Sequence, residues 1–282
     1  MRIANLSGRL VLVVDGLAVD VEKASDGRFT ADPQAVYERW EEFRRWAAGT
    51  RLPEGEPFDP DRLEAPVPAP RQIVAAGLNY RDHAAESGFA LPDTMPPVFT
   101  KFVTSISGPR TEVALPPGGH TDWEIELVAV IGTRAHHVSP ESAWDHVAGL
   151  TVGQDLSERI TQLEGPAPQF SLGKSFPGFA PIGPWLVTPD AFDDRDDLEL
   201  RCTVNGEEVQ KGRTSDLIFS VPELVARLSS VIPLLPGDIV FTGTPAGVGL
   251  GRDPQRWLAP GDELVSTIEG IGELRQRFVA RP

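Results

Sequence analysis

Two glutamates stand one residue apart in Asp122-Trp123-Glu124-Ile125-Glu126-Leu127-Val128-Ala129-Val130-Ile131. A strand has period two, so Glu124, Glu126, Val128 and Val130 share one face. Buried side by side, two carboxylates disfavour each other's ionised form unless a cation neutralises them. Hard oxygen ligands point to Mg²⁺, with Mn²⁺ or Ca²⁺ as alternatives. A strand end where both carboxylates reach water is the plainer reading of this pair taken alone.

A second constellation is Asn79-Tyr80-Arg81-Asp82-His83-Ala84-Ala85-Glu86. If Asn79 caps a helix, His83 and Glu86 fall three residues apart on one face. Glu86 can then hold the imidazole in one tautomer, leaving His83 as a general base near neutral pH. An ordinary exposed His/Glu pair is the alternative. Two more segments carry polar groups: residues 153–162, after an apolar strand, and Gly173-Lys174-Ser175-Phe176, with a lysine among apolar and glycine-rich stretches.

Other chemistries drop out. Gly243-Thr244-Pro245-Ala246-Gly247-Val248-Gly249 lacks the Gly-Lys-Ser/Thr ending of a phosphate loop, and Pro254 follows closely, so it is no convincing dinucleotide turn. There is no Gly-x-Ser-x-Gly elbow, and no histidine follows His146, which defeats the Ser, Asp, His order of α/β-hydrolases for any late serine. His136 and His137 are adjacent, with no cysteine near enough to complete a zinc site.

The elements that must position these residues read as a β-rich chain. The apolar runs at 10–14 and 17–21 flank Asp15-Gly16, a hairpin signal, and a helix follows with Val36, Trp40, Phe43 and Ala47 on one face. Residues 51–70 hold six prolines and cannot form an ordinary helix or central strand. This stretch divides a small N-terminal α+β module with its linker, residues 1–70, from a body at 71–282. Strand patterns fall at 72–77, 123–131, 147–152, 185–187, 198–204, 207–210, 238–242 and 263–268, and Ser220 with Glu223 forms a capping box. Strands outnumber helices and do not alternate with them, which favours a mixed, largely antiparallel architecture over a doubly wound one. An apolar, proline-marked stretch after Gly88 reads as a lid within 86–108.

Lys and Arg total 26 against 41 Asp and Glu, a net charge of −15 over 282 residues. That balance argues against nucleic acid. Cys202 is the only cysteine, so no internal disulfide is possible. No run of about 18 apolar residues offers a membrane span. The expectation is a cytoplasmic globular protein.

Taken together, the body resembles the fumarylacetoacetate hydrolase family. The resemblance rests on Gly77-Leu78-Asn79-Tyr80-Arg81-Asp82-His83, Asp122 to Leu127, Asp155 to Gln162, Gly173-Lys174-Ser175-Phe176, Thr214-Ser215-Asp216-Leu217-Ile218-Phe219-Ser220, Pro236-Gly237-Asp238 and Thr242 to Gly249, in that order. It implies a β-rich α+β fold, a rolled mixed β-sheet body, assembled as a homodimer. It also implies that Glu124, Glu126 and Asp155 ligate Mg²⁺ or Mn²⁺, that His83 and Glu86 activate water, and that Lys174 reaches the substrate or its developing enolate. Arg159, Gln162 and Thr244 would contact the substrate, Thr244 through a carboxylate. Gln154 stands where many members carry Asn. The reaction it implies is hydrolysis of a C–C bond in a 2,4-dioxo acid of the acylpyruvate or fumarylpyruvate kind. Oxaloacetate-type decarboxylation, isomerisation of a hydroxymuconate-like diacid and a non-catalytic relative stay open, because one fold and site can serve all of them.

Overall fold

The computed structural model describes residues 1–86 and 92–281, with only the backbone described at 84–86. The fold is β-rich α+β with mixed sheets. The largest sheet runs, in spatial order, through Leu17–Asp20, Arg9–Val14, Arg2–Leu6, Ala180–Val187, Val147–Gln154, Ile125–Ile131, Ile239–Phe241, Ile73–Ala76 and Val98–Thr100. Most neighbours are antiparallel, but Ile239–Phe241 runs parallel to Ile73–Ala76. A five-stranded sheet is ordered Glu207–Arg213, Glu199–Val204, Glu263–Ile268, Gly272–Ala280 and Arg110–Leu115.

Ile125–Ile131 lies at the centre and is buried on both faces. Ile125, Leu127, Ala129 and Ile131 pack into a core shared with Leu200, Leu264, Leu274 and Phe278 of the five-stranded sheet. Val128 and Val130 face the opposite core, with Trp40, Phe43, Leu186 and Phe241. The alternation that groups the two glutamates with Val128 and Val130 is therefore the one that sorts this strand between the cores. Each fully buried large aliphatic contributes about 1.5–3 kcal/mol, so the segment is held firmly. At Gly153, opposite Glu126 in register, a Cβ would lie 2.5 Å from Val128 Cγ2 and 2.8 Å from the Phe241 ring, so the strands close here only around glycine.

The Asp15-Gly16 hairpin forms, with φ of 50° and 79° at its two turn residues, and Asn205-Gly206 repeats the geometry at 52° and 82°. After a short helix at Val21–Ala24, the helix expected on Val36, Trp40, Phe43 and Ala47 opens as a 3₁₀ turn, Ala35–Arg39, before the α-helix Trp40–Gly49. The capping box forms at the start of Val221–Ser229: the Ser220 N–H donates to Glu223 Oε2 at 2.9 Å. Within the segment read as a lid, residues 87–91 lie outside the described residues. Val98–Thr100 is instead an edge strand of the large sheet, and Ile106–Ser107 pairs with Ala180–Val187. Among the described residues, no helix is long and apolar enough to cross a membrane.

Candidate active site

Antiparallel pairing of Ile125–Ile131 with Val147–Gln154 matches Ile125 to Gln154, so Glu124 and Asp155 flank the same ladder end. The Asp155 N–H donates to the Glu124 carbonyl at 2.9 Å. Glu126 is two residues further on and shares the face of Glu124. The carboxylates of Glu124, Glu126 and Asp155 come together with ligand oxygens within 4.8 Å of one another, and all three are buried.

Cations surround this triad. Lys174 Nζ lies 2.8 Å from Glu124 Oε2 and 2.5 Å from Asp155 Oδ2. Arg159 Nη2 lies 2.8 Å from Glu124 Oε1 and 2.7 Å from Asp122 Oδ2, while its Nη1 donates to Gln162 Oε1 at 2.9 Å. Burial alone would raise the Glu124 carboxyl, but Lys174, Arg159 and His83 outweigh it and hold it at about 2. Glu126 goes the other way. Burial, then the charges of Asp155 and Glu124, push it well above the usual carboxylate range, although the Gly243 N–H donates to its Oε2 at 2.7 Å. A buried all-oxygen donor set with one member forced toward protonation fits a hard divalent cation, which would relieve the repulsion.

Glu124 and Glu126 of this triad open onto a cavity of about 410 Å³, with Asp155 buried behind them. His83, Glu124, Glu126, Arg159, Gln162, Lys174 and Thr244 all line it, with Phe99, Leu163 and Phe170 as apolar walls. His83 is buried in the helix Arg81–Glu86. The Glu86 side chain, its expected partner, lies outside the described residues. Thr244 lines the cavity, but its hydroxyl donates to the Ile125 carbonyl at 2.8 Å. A cavity of similar volume between the first strands and the helix Trp40–Gly49 has no comparable carboxylate group.

Three expectations need revision or addition. Asn79 does not cap the His83 helix. Its amide donates to the Phe219 and Thr242 carbonyls at 2.9 and 2.8 Å and accepts from the Phe219 N–H, pinning the start of the helix to two distant loops. Lys101 belongs to the site: it is 1 % exposed, and its Nζ donates to Asp155 Oδ1 at 2.5 Å and to the Lys174 carbonyl. Burial lowers this ammonium despite the attraction of Asp155. Asp122 is the third. Fully buried, it accepts from the Gly249 and Leu250 N–H groups at 2.6 and 3.0 Å while holding Arg159. Its place in the strand motif was visible, but its partners, up to 128 residues away, were not.

A mixed β-sheet body with a buried carboxylate triad, two of whose members line a cavity, has the makings of a metal-dependent active site. The fumarylacetoacetate (FAA) hydrolase C-terminal family model matches residues 72–279, and the chain belongs to that family. Over 232 residues it is 45 % identical to a 2,4-didehydro-3-deoxy-L-rhamnonate hydrolase of Sphingomonas sp., covering 82 % of this chain and 79 % of that one. Over 216 residues it is 43 % identical to human mitochondrial oxaloacetate tautomerase FAHD2A, covering 76 % and 68 %. Among solved structures, a Mycobacterium smegmatis protein described as HpcE superposes with a TM-score of 0.96 at 54 % identity over the whole of both chains. A maleylpyruvate hydrolase of Sphingobium sp., crystallised with manganese(II) and pyruvate, gives 0.80 at 30 %, again over all of both. The protein is thus a fumarylacetoacetate hydrolase family enzyme with an acidic metal-binding triad, and its relatives include hydrolases, tautomerases and isomerases.

Proposed function

We propose that the protein is a divalent-metal-dependent hydrolase of 2,4-dioxo acids, with Mg²⁺ or Mn²⁺ held by Glu124, Glu126 and Asp155. The observation that carries this is one cavity lined at once by Glu124 and Glu126, whose carboxylates group with that of Asp155, by the cations Lys174 and Arg159, and by His83. When bound, the cation supplies Lewis-acid stabilisation of negative charge developing on a 2-oxo acid.

The chain's own groups account for the rest. His83 takes a proton from water, and Glu86, three residues on, keeps the imidazole oriented. The water oxygen adds to the C4 carbonyl. The C3–C4 bond then breaks, and its electron pair stays on C3 as the enolate of a 2-oxo acid. Protonation of C3 gives the second product beside the released carboxylic acid. Lys174 places a fixed ammonium near the charge as it forms, favouring the transition state over the ground state. Arg159 and Gln162, joined to each other, and Thr244 hold the substrate's polar end. The relative that hydrolyses a 3-deoxy acid didehydrogenated at C2 and C4 supports this substrate class.

A second reading is keto–enol interconversion of oxaloacetate, favoured by the tautomerase relative. It needs the same enolate but no attacking water. Incubating the Mg²⁺-loaded protein with acylpyruvates and with oxaloacetate, and following products by NMR, separates the two. Pyruvate plus a carboxylic acid supports hydrolysis. Turnover of oxaloacetate tautomers alone supports the second reading, and no turnover of either set overturns both.

A further inference from the structure

Gln210 lies in the strand Glu207–Arg213 of the five-stranded sheet, is 2 % exposed, and is not among the residues lining the cavity. Its Oε1 accepts from the Ile125 N–H at 3.0 Å, and its Nε2 donates to Thr244 Oγ1 and to the Pro245 carbonyl, each at 2.8 Å. The amide has only one workable orientation, because a backbone N–H can only donate and a carbonyl can only accept. The second Nε2 hydrogen therefore goes to the Thr244 oxygen, and the hydroxyl's own hydrogen goes to the Ile125 carbonyl at 2.8 Å. The result is a closed ring of Ile125 N–H, Gln210, Thr244 and Ile125 C=O, and Ile125 is the residue between Glu124 and Glu126.

The carboxylates have supports of their own. The Glu124 N–H donates to Gln154 Oε1 at 2.9 Å, and Glu126 Oε2 accepts from Gly243 at 2.7 Å. Thr244 has fewer. It sits between Gly243 and Gly247, at φ of 103° and 107°, where the backbone has the conformational freedom that only glycine allows. Removing Gln210 thus falls on Thr244 before it falls on the metal ligands.

We infer that Gln210 is a positioning residue for 2-oxo acid binding, acting through Thr244 rather than through the metal site. The inference rests on the reading above, in which Thr244 holds the substrate's polar end.

The test is calorimetric titration of the full chain with Mn²⁺ alone, then of the Mn²⁺-loaded protein with oxalate, a dicarboxylate that mimics the chelating end of a 2-oxo acid. Gln210→Met keeps the shape without polar atoms. Gln210→Glu keeps the acceptor for Ile125 and removes the donor to Thr244, which covers the case of a poorly folding Met variant. Either variant should weaken oxalate binding by about tenfold or more, the effect of leaving a buried polar group unpaired. Mn²⁺ affinity should stay within about threefold of wild type, and in a Thr244→Val background the Gln210 change should add less than about threefold. Unchanged oxalate affinity, an equal loss of Mn²⁺ affinity, or losses that multiply in the double variant would overturn the inference. A wild-type protein that binds Mn²⁺ but not oxalate would instead overturn the site reading, and the inference with it.

Discussion

Lys101 Nζ donates to Asp155 Oδ1 at 2.5 Å, with both side chains fully buried. The pair links the edge of the large sheet to a metal-triad carboxylate, and the same ammonium bonds the Lys174 carbonyl, so one cation sets the position of two site residues. Removing it leaves Asp155 charge buried with less compensation. Lys101→Met should cost about 3–5 kcal/mol in urea unfolding. Added Mg²⁺ should stabilise the variant more than the wild type, because it replaces the missing positive charge. An equal Mg²⁺ effect on both proteins would contradict this role.

Two glutamates of the triad carry opposite pH signatures. Glu124 is held at about 2, below its ordinary 4.5, so its contribution to stability is present above that ordinary value and is lost as pH falls toward 2. Glu126 is raised, so its contribution is fully present below 4.5 and is lost as pH rises through its raised value. A divalent cation requires both ionised and must displace the Glu126 proton. The thermal stabilisation given by Mg²⁺ should therefore grow from pH 5 upward and level off above the raised Glu126 value, with protons released on binding. A stabilisation independent of pH from 5 to 8 would refute the linkage.

Much of the site was legible because its signals are local. Period two put Glu124 and Glu126 on one face of a strand, and the residues from Asp155 to Gln162 came with a recognisable order of motifs. Lys101, Asp122 and Gln210 were not legible as site residues. Their partners lie 54, 37 and 85 residues away, and a lone polar residue near an apolar run has no pattern to announce such a bond. The strands Arg110–Leu115 and Gly272–Ala280 escaped for a related reason. They are rich in charge and pair in parallel with each other across most of the body's length. Asn79 has the right residue type for a cap, but two distant backbone segments outcompete the helix for its amide.

Exposed apolar side chains gather beside the cavity. Leu163, 48 % exposed, lines it, Leu172, at 66 %, lies in the short helix Phe170–Gly173, and Phe102, at 48 %, is tied beside that helix by its N–H donating to Ser175 Oγ at 2.9 Å. A patch of this kind on a water-facing surface favours a partner. The expected partner is a second copy of the chain, and light scattering should return about twice the 30.6 kDa chain mass. Leu172→Glu should shift that mass toward the monomer. A wild-type monomer at micromolar concentration would contradict the homodimer.

His83 should separate hydrolysis from decarboxylation at this site. It lines the cavity with Glu124 and Glu126, yet the all-oxygen donor set does not include it, so its loss should leave Mg²⁺ affinity near wild type. Hydrolysis of a 2,4-dioxo acid requires a base for the attacking water. His83→Ala should slow it by about 10²–10⁴-fold, the usual contribution of a positioned general base. Loss of CO₂ from oxaloacetate needs no water and should suffer far less. Tautomerisation moves a proton at C3 and, like decarboxylation, needs no attacking water. The informative measurement is the ratio of the hydrolytic to the decarboxylating rate in wild type and His83→Ala, taken at saturating Mg²⁺ and matched pH. A ratio that falls with the substitution supports water activation by His83. A ratio that stays constant assigns His83 to substrate binding or to the fold and leaves the activating base elsewhere in the cavity.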